Sequence, residues 1–154
     1  MMTFKLIEGK FTFQIYYAQR TTMAQLFTDE WINALKDAWN AEPEVSDKLA
    51  EINFNSVITC GFKGEDTPLC VFVVENGKAI SAGLYNGEKA DWDMRASQKD
   101  WDKWIEKPLT MASMGVAFAM GKLKFVEGDF KAMIKTPSMA VPFVRSFGLM
   151  AEIS

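Results

Sequence analysis

The chain has 154 residues, a net charge of −3 and 49% apolar residues, a composition typical of one soluble globular domain. An acidic chain lacks the positive field that holds phosphate backbones, so we expect no nucleic-acid partner. The sequence contains no histidine, which excludes Ser-His and Cys-His catalysis and histidine metal sites. We therefore expect no enzymatic activity, no cofactor and no metal.

The two cysteines, Cys60 and Cys70, are too few for a disulfide framework. Placed symmetrically about a predicted turn, they are interpreted as small core residues rather than as a redox pair. No signal-peptide pattern opens the chain, and its longest apolar stretch, Met111 to Met120, is too short to span a bilayer. We expect a cytoplasmic protein whose membrane contact is at most peripheral.

The first elements are a weak hairpin and a strong helix. Alternating apolar residues before position 18 predict a hairpin within an N-terminal extension, residues 1–26, ahead of a domain that spans residues 27–154. Thr28 is a predicted N-cap, and Trp31, Leu35 and Trp39 share one helical face. Pro43 ends this helix, and a shorter helix is predicted over 44–51.

Four strands follow. The first three cover 54–62, 69–74 and 79–85, and Asn76-Gly77 predicts a hairpin between the second and third. The second is almost wholly apolar, which is typical of a central strand. The fourth covers 89–96, where Trp92 and Met94 are expected to face the core. Asp93 and Arg95 are then expected on a solvated face, together with Asp91.

The C-terminal third is rich in Met and Phe. Ser97 is predicted to cap a helix that buries Trp101 and Trp104. An apolar helix over 109–120 leads to a strand with Phe125 inward, and Asp129 caps a final helical region. Pro137 and Pro142 are predicted to break that region into pieces.

Two runs of residues, taken with the order of the elements, resemble the sterol carrier protein type-2 domain family. The first is Ala90 to Trp101, an acidic-aromatic strand followed by a Ser-x-x-Asp-Trp helix start. The second is Gly121 to Asp129, with the pattern Gly-Lys-Leu-Lys followed by an apolar segment and Gly-Asp. The opening helix, from Phe27 to Trp31, also fits. The resemblance covers residues 27–150.

The resemblance implies an α/β protein of the α+β type, with a five-stranded sheet covered on one face by helices. The implied order is α-β-β-β-crossover-β-α-β-α, with a hydrophobic tunnel between sheet and helices. Asn86-Gly87 alone predicts a hairpin between strands three and four, whereas the family crosses over there. We follow the family pattern.

By themselves, the Met and Phe side chains of this region are explained by core packing. The resemblance instead implies that they line the tunnel and bind a lipid or other apolar small molecule, such as a fatty acyl chain, a sterol or a quinone. Lys122, Lys124 and Lys131 are candidates to meet an acidic head group. The predicted ligand-binding residues are Met111, Met114, Phe118, Phe125, Met133, Met139, Phe143 and Phe147.

Two functions stay open at this point. The favoured one is non-enzymatic binding or carriage of an apolar ligand, with the tunnel as the site. The alternative is an accessory module that assists a partner protein, for example in isoprenoid-quinone or lipid metabolism, through an exposed apolar patch. A homodimer is also compatible with the sequence.

Overall fold

A computed structural model describes residues 25–154. The hairpin predicted in the N-terminal extension lies outside the described residues. The helices are α1 (Asp29–Ala41), α2 (Lys48–Glu51), α3 (Gln98–Glu106), α4 (Met111–Ala119), α5 (Phe130–Ile134) and α6 (Pro137–Ile153). The strands are β1 (Ser56–Phe62), β2 (Cys70–Glu75), β3 (Lys78–Leu84), β4 (Trp92–Ala96) and β5 (Lys124–Glu127).

Helix α1 begins and ends as the sequence predicts. The Thr28 side chain accepts a hydrogen bond from the Trp31 backbone N–H, and Trp31, Leu35 and Trp39 are buried on one face. The second predicted helix is a π-helical turn, Pro43–Asp47, followed by the single turn of α2.

The strands form one mixed sheet in the order β3-β2-β1-β4-β5. Strand β1 pairs antiparallel with β2 and parallel with β4, and β5 pairs antiparallel with β4. The crossover between β3 and β4 is therefore confirmed, because β4 lies beside β1 and two strands separate it from β3. The Asn76-Gly77 hairpin is also confirmed, and β2 is an interior strand with a neighbour on each side.

The β2–β3 hairpin lies tightly against the α1–α2 region. Gly77 has φ +84°, and a Cβ there would overlap backbone atoms of Ser46 and Ala50, so this position requires glycine. The Gly77 carbonyl accepts a 2.9 Å hydrogen bond from the Trp39 indole. The neighbouring Asn40 side chain donates to the Ala79 carbonyl and accepts from the Ala79 N–H, both at 2.8 Å.

The prediction that the charged residues of β4 and its start face solvent is wrong for two of the three. Asp91 is exposed, but Asp93 and Arg95 are 5% and 4% exposed. They form a two-pronged ion pair, with Nε to Oδ1 at 2.7 Å and Nη2 to Oδ2 at 3.0 Å. Arg95 Nη1 also donates to the Glu65 carbonyl at 2.9 Å. Burial is tolerated because each charge is paired and hydrogen-bonded.

The prediction for the final helical region is half right. The region is divided before Pro137, where α6 begins, but α6 runs through Pro142 without a break. Pro142 itself is buried, and the residues after it place Ser146, Phe147 and Met150 in the core. The proline removes one donor, whose partner four residues earlier would be the carbonyl of Ser138. Ser138 is exposed, so water can replace that donor while packing holds the remaining turns.

Candidate functional site

An apolar cavity lies between the sheet and the helices. The sheet contributes side chains from β1, β2 and β4, and the facing wall comes from α1, α2, α5 and α6. Trp39 and Phe72 meet across it edge to face, with ring centroids 5.0 Å apart. The lining residues are Trp39, Leu49, Phe54, Ile58, Phe72, Trp92, Met94, Met133, Met139, Phe143, Ser146 and Met150.

One stripe of α6 supplies much of the helical wall. Met139, Phe143, Ser146 and Met150 line the cavity at intervals of four, three and four residues, which places them on a single helix face. The same periodicity appears in the sequence, so this helix face could be predicted from the sequence alone. Which strands it meets depends on the topology.

The cavity is narrow. A water molecule could be centred in about 40 Å³ of it, which corresponds to a few water molecules. An alkyl chain of many carbons therefore fits only after the lining side chains move apart. Methionine suits such a wall, because its unbranched side chain adapts to irregular shapes at low cost.

The described lining carries no charged side chain. Its one polar member is Ser146, 3% exposed, whose hydroxyl donates to the Phe143 carbonyl in the same helix. Among residues 25–154 there is also no group of three or more carboxylate or cysteine side chains that could hold a metal ion. The cavity is thus equipped to bury apolar surface rather than to stabilise a charge.

Three of the eight predicted ligand-binding residues line the cavity, namely Met133, Met139 and Phe143. Two more stand beside it in an aromatic cluster. Phe125 packs against Phe143 with centroids 6.1 Å apart, and Phe118 against Phe125 at 6.2 Å. This cluster forms a second layer behind the wall.

The other three predicted residues lie elsewhere. Met114 is fully buried on the inner side of α4, and Phe147 stacks on Trp101 with ring centroids 6.2 Å apart. Met111 is 41% exposed on α4. Lys122, Lys124 and Lys131 are exposed, and none of them lines the cavity.

Sequence reasoning missed the aromatic and aliphatic lining from the first half of the chain. Trp39, Leu49, Ile58 and Phe72 have the periodicity of core residues, and no local pattern separates a cavity wall from a packed core. Trp92 was predicted to face the core but was not assigned to the site. It lies against Gly128, where φ is +104° and any Cβ would overlap the indole ring.

Cys60 and Cys70 are opposite each other in β1 and β2, and both are fully buried and free. Their hydrogen bond, together with burial, raises the pKa of the Cys60 thiol well above its usual value. A thiol that stays protonated is a poor nucleophile. Since both side chains belong to the buried core cluster, the prediction that these cysteines are core residues is confirmed.

The arrangement of sheet and helices matches solved structures. A crystal structure of sterol carrier protein 2 superposes with a TM-score of 0.68 at 18% identity, over 84% of this chain and all of that one. The chain has the sterol carrier protein 2 fold.

Two further structures with this fold support the match. A possible sterol carrier protein from Thermus thermophilus has a TM-score of 0.55 at 17% identity, covering 86% of this chain and 90% of that one. The ubiquinone synthesis protein UbiJ-SCP2 has a TM-score of 0.51 at 17% identity, covering 79% and 88%. By sequence, no protein-family model and no curated protein matches the chain.

Proposed function

We propose that this protein binds or carries a lipid or another apolar ligand, without catalysis, in the cavity between its sheet and its helices. The observation that supports the proposal is the uncharged lining of that cavity, which places Met133, Met139 and Phe143 opposite the sheet. The sterol carrier protein 2 fold agrees with it.

Burial of the ligand supplies the binding free energy. Each methylene removed from water contributes about 0.8 kcal/mol, so a long alkyl chain needs few polar contacts. Part of that gain is spent in separating the lining side chains, because the cavity without ligand has room for only a few water molecules. The cavity therefore favours flexible or slender apolar groups, which can enter while the lining side chains separate one after another.

The uncharged lining also indicates how a ligand is oriented. A carboxylate in this cavity would be desolvated with no cationic partner among the lining residues, at a large cost. The apolar part of the ligand therefore lies inside and an ionised head group outside. A fatty acyl chain meets both requirements. A sterol or a quinone-like molecule also carries its polar group at one end, but it requires the lining side chains to move further apart.

A non-enzymatic role agrees with the side chains present. The chain has no histidine to act as a base, and the raised pKa of Cys60 keeps that thiol protonated. Among residues 25–154, the buried carboxylate of Asp93 is engaged by Arg95.

Native mass spectrometry of the protein purified from its own source, followed by lipid extraction, tests the proposal directly. We expect a bound apolar molecule at near-stoichiometric level. An empty protein that also fails to bind a fluorescent fatty acid would contradict the proposal and favour the accessory-module alternative.

A matched pair of substitutions tests the location of the site. Met139→Trp places a bulky ring in the cavity wall. We expect it to weaken binding of a fluorescent fatty acid by about tenfold or more, because the narrow cavity has no free space for both the larger side chain and the ligand. Met111→Trp is the control, since this exposed methionine is outside the lining. Equal binding by the two variants, both folded by circular dichroism, would place the ligand elsewhere.

A further inference from the structure

The face of the sheet opposite the cavity carries two shallow depressions of opposite charge. Asp93 and Arg95 alternate along β4 with residues that line the cavity, so their side chains lie on this outer face. Asp93 belongs to one depression and Arg95 to the other, and the two depressions adjoin at Val126, which contributes to both. None of the residues that line the apolar cavity belongs to either depression.

The first depression is basic and has a volume of about 310 Å³. Its cations are Arg95 from β4, Lys124 from β5 and Lys63 from the β1–β2 loop, and its one carboxylate is Glu65. Arg95 is 4% exposed, and its four hydrogen bonds within the described residues leave at least one of its five N–H groups for another acceptor. This basic depression can therefore receive an anionic group.

The second depression is acidic and has a volume of about 260 Å³. Its carboxylates are Asp93 from β4, Glu127 from β5 and Glu88 from the segment between β3 and β4, and its one cation is Lys89. This acidic depression therefore has the charge that suits a cationic group.

The pairing of β4 with β5 sets like charges side by side in both depressions. Arg95 lies directly opposite Lys124, and Asp93 lies directly opposite Glu127. Like charges in these positions destabilise a sheet. Exchanging Lys124 and Glu127 would pair opposite charges without changing the composition, so the arrangement as it stands favours a ligand that supplies the missing charges. Local conflicts of this kind are expected at functional sites.

We propose that the two depressions together bind a small zwitterion, with its anionic group in the basic depression and its cationic group in the acidic depression. A strand rises about 3.3 Å per residue, so Asp93 and Arg95 are about 7 Å apart along β4, and Lys124 and Glu127 about 10 Å apart along β5. The two charges of the ligand should have a similar separation. Val126, 47% exposed, favours an apolar group between them.

Tripeptides with an apolar central residue have these properties. In an extended tripeptide the terminal amino and carboxylate groups are about 10 Å apart, and the central side chain can contact Val126. A single amino acid is too short to reach both depressions.

This site is independent of the proposed binding of apolar ligands, because it lies on the other face of the sheet. The tests below use no lipid. Their failure would leave the proposed function untouched, and an empty cavity would leave the zwitterion site untouched.

Titration with the tripeptide glycyl-leucyl-glycine, followed by NMR of the backbone amides, tests the proposal. We expect saturable shifts in β4, β5 and the β1–β2 loop, and weaker binding in added salt, because exposed charges are screened. The N-acetylated peptide and the peptide amide each lack one charge and should bind about tenfold more weakly. No binding of the tripeptide, or equal binding of the acetylated form, would overturn the proposal.

Two lysines near each other in the chain provide a matched comparison. Lys124→Glu reverses a charge in the basic depression, and we expect it to weaken tripeptide binding by about tenfold or more. Lys122→Glu makes the same change at an exposed lysine outside both depressions, and should leave binding unchanged. Equal losses in the two variants would overturn the proposal.

The double exchange Lys124→Glu with Glu127→Lys separates binding from folding. It keeps the net charge and turns both like-charge pairs into opposite-charge pairs, so we expect the Tm to rise by about 2–4 °C at low salt. Tripeptide binding should nevertheless fall by about tenfold or more. A Tm that does not rise, or binding equal to that of the wild type, would overturn the proposal.

Discussion

Arg95 makes four hydrogen bonds inside the protein, two of them to the carboxylate of Asp93. The other two reach the carbonyls of Phe62 and Glu65, at and just beyond the end of β1. One side chain thus links β4 to the β1–β2 loop. The arrangement compensates two buried charges that would otherwise destabilise the sheet.

Arg95→Met should therefore lower the free energy of unfolding by about 3–5 kcal/mol, because it leaves the Asp93 carboxylate buried without a partner. Urea denaturation measures the loss. Lys48→Met is the control, since the Lys48–Glu51 pair is exposed and 3.7 Å apart, and it should cost about 1 kcal/mol or less. Equal losses in the two variants would show that the Asp93 charge is accommodated without Arg95.

A strand pattern places Asp93 and Arg95 on one face but does not show whether loops cover that face. Alternation along 91–95 predicted which side chains face the helices, and Met94 does. The cover over the opposite face includes the β1–β2 loop, more than twenty-five residues away in the chain. Contacts of this kind arise from topology, so a local pattern could not predict them.

Helix α6 is the element that closes the cavity, and Arg145 attaches it to the rest of the fold. Its Nη2 lies 2.7 Å from Glu42 Oε1 near the end of α1 and 3.1 Å from Glu152 Oε2. Burial acts to lower the pKa of Arg145, but the hydrogen bonds and charges of Glu152 and Glu42 outweigh it and raise that pKa. Arg145 therefore remains charged at every physiological pH.

Arg145→Met should loosen α6, because it removes both ion pairs. Since the guanidinium is about one third exposed, solvent screens the pairs, and we expect a cost of about 0.5–1 kcal/mol. Backbone amides of α6 should then exchange with deuterium about two to five times faster. Lys36→Met, which removes the neighbour pair with the exposed Asp37, should leave exchange in α6 unchanged. No acceleration in Arg145→Met would show that packing alone retains the helix.

Helix caps and the Asn76-Gly77 hairpin were the most predictable elements, whereas Asn86-Gly87 predicted by the same local rule a hairpin that does not occur. The Thr28, Ser97 and Asp129 caps and the Asn76-Gly77 turn all occur as the sequence predicts, because each depends on residues a few positions apart. Pro142 was mispredicted for the opposite reason. Its effect on the helix is decided by distant residues that pack against α6.

At the scale of the whole molecule, a ligand bound in the cavity should raise the free energy of unfolding. A ligand that binds the folded chain and not the unfolded chain shifts the folding equilibrium toward the folded state. At a free ligand concentration 100 times Kd, the free energy of unfolding should rise by about 2.7 kcal/mol. Thermal unfolding with increasing fatty acid measures this rise as a higher Tm.

Met139→Trp serves as the control in that titration, and its Tm should respond little to the fatty acid. A rise in Tm equal to that of the wild type would show that the ligand stabilises the fold from another site. None of the described helices has the length and hydropathy needed to cross a membrane.

The side-chain amide of Asn40 blocks part of one edge of the sheet. It occupies the N–H and the carbonyl of Ala79 on β3, an edge strand, and these are groups that a strand from another molecule would need. The opposite edge is β5, which has only four residues and begins at Lys124, and short, charged edges are poor templates for polymerisation. Both edges of the sheet are therefore unfavourable places for a strand of another molecule to add.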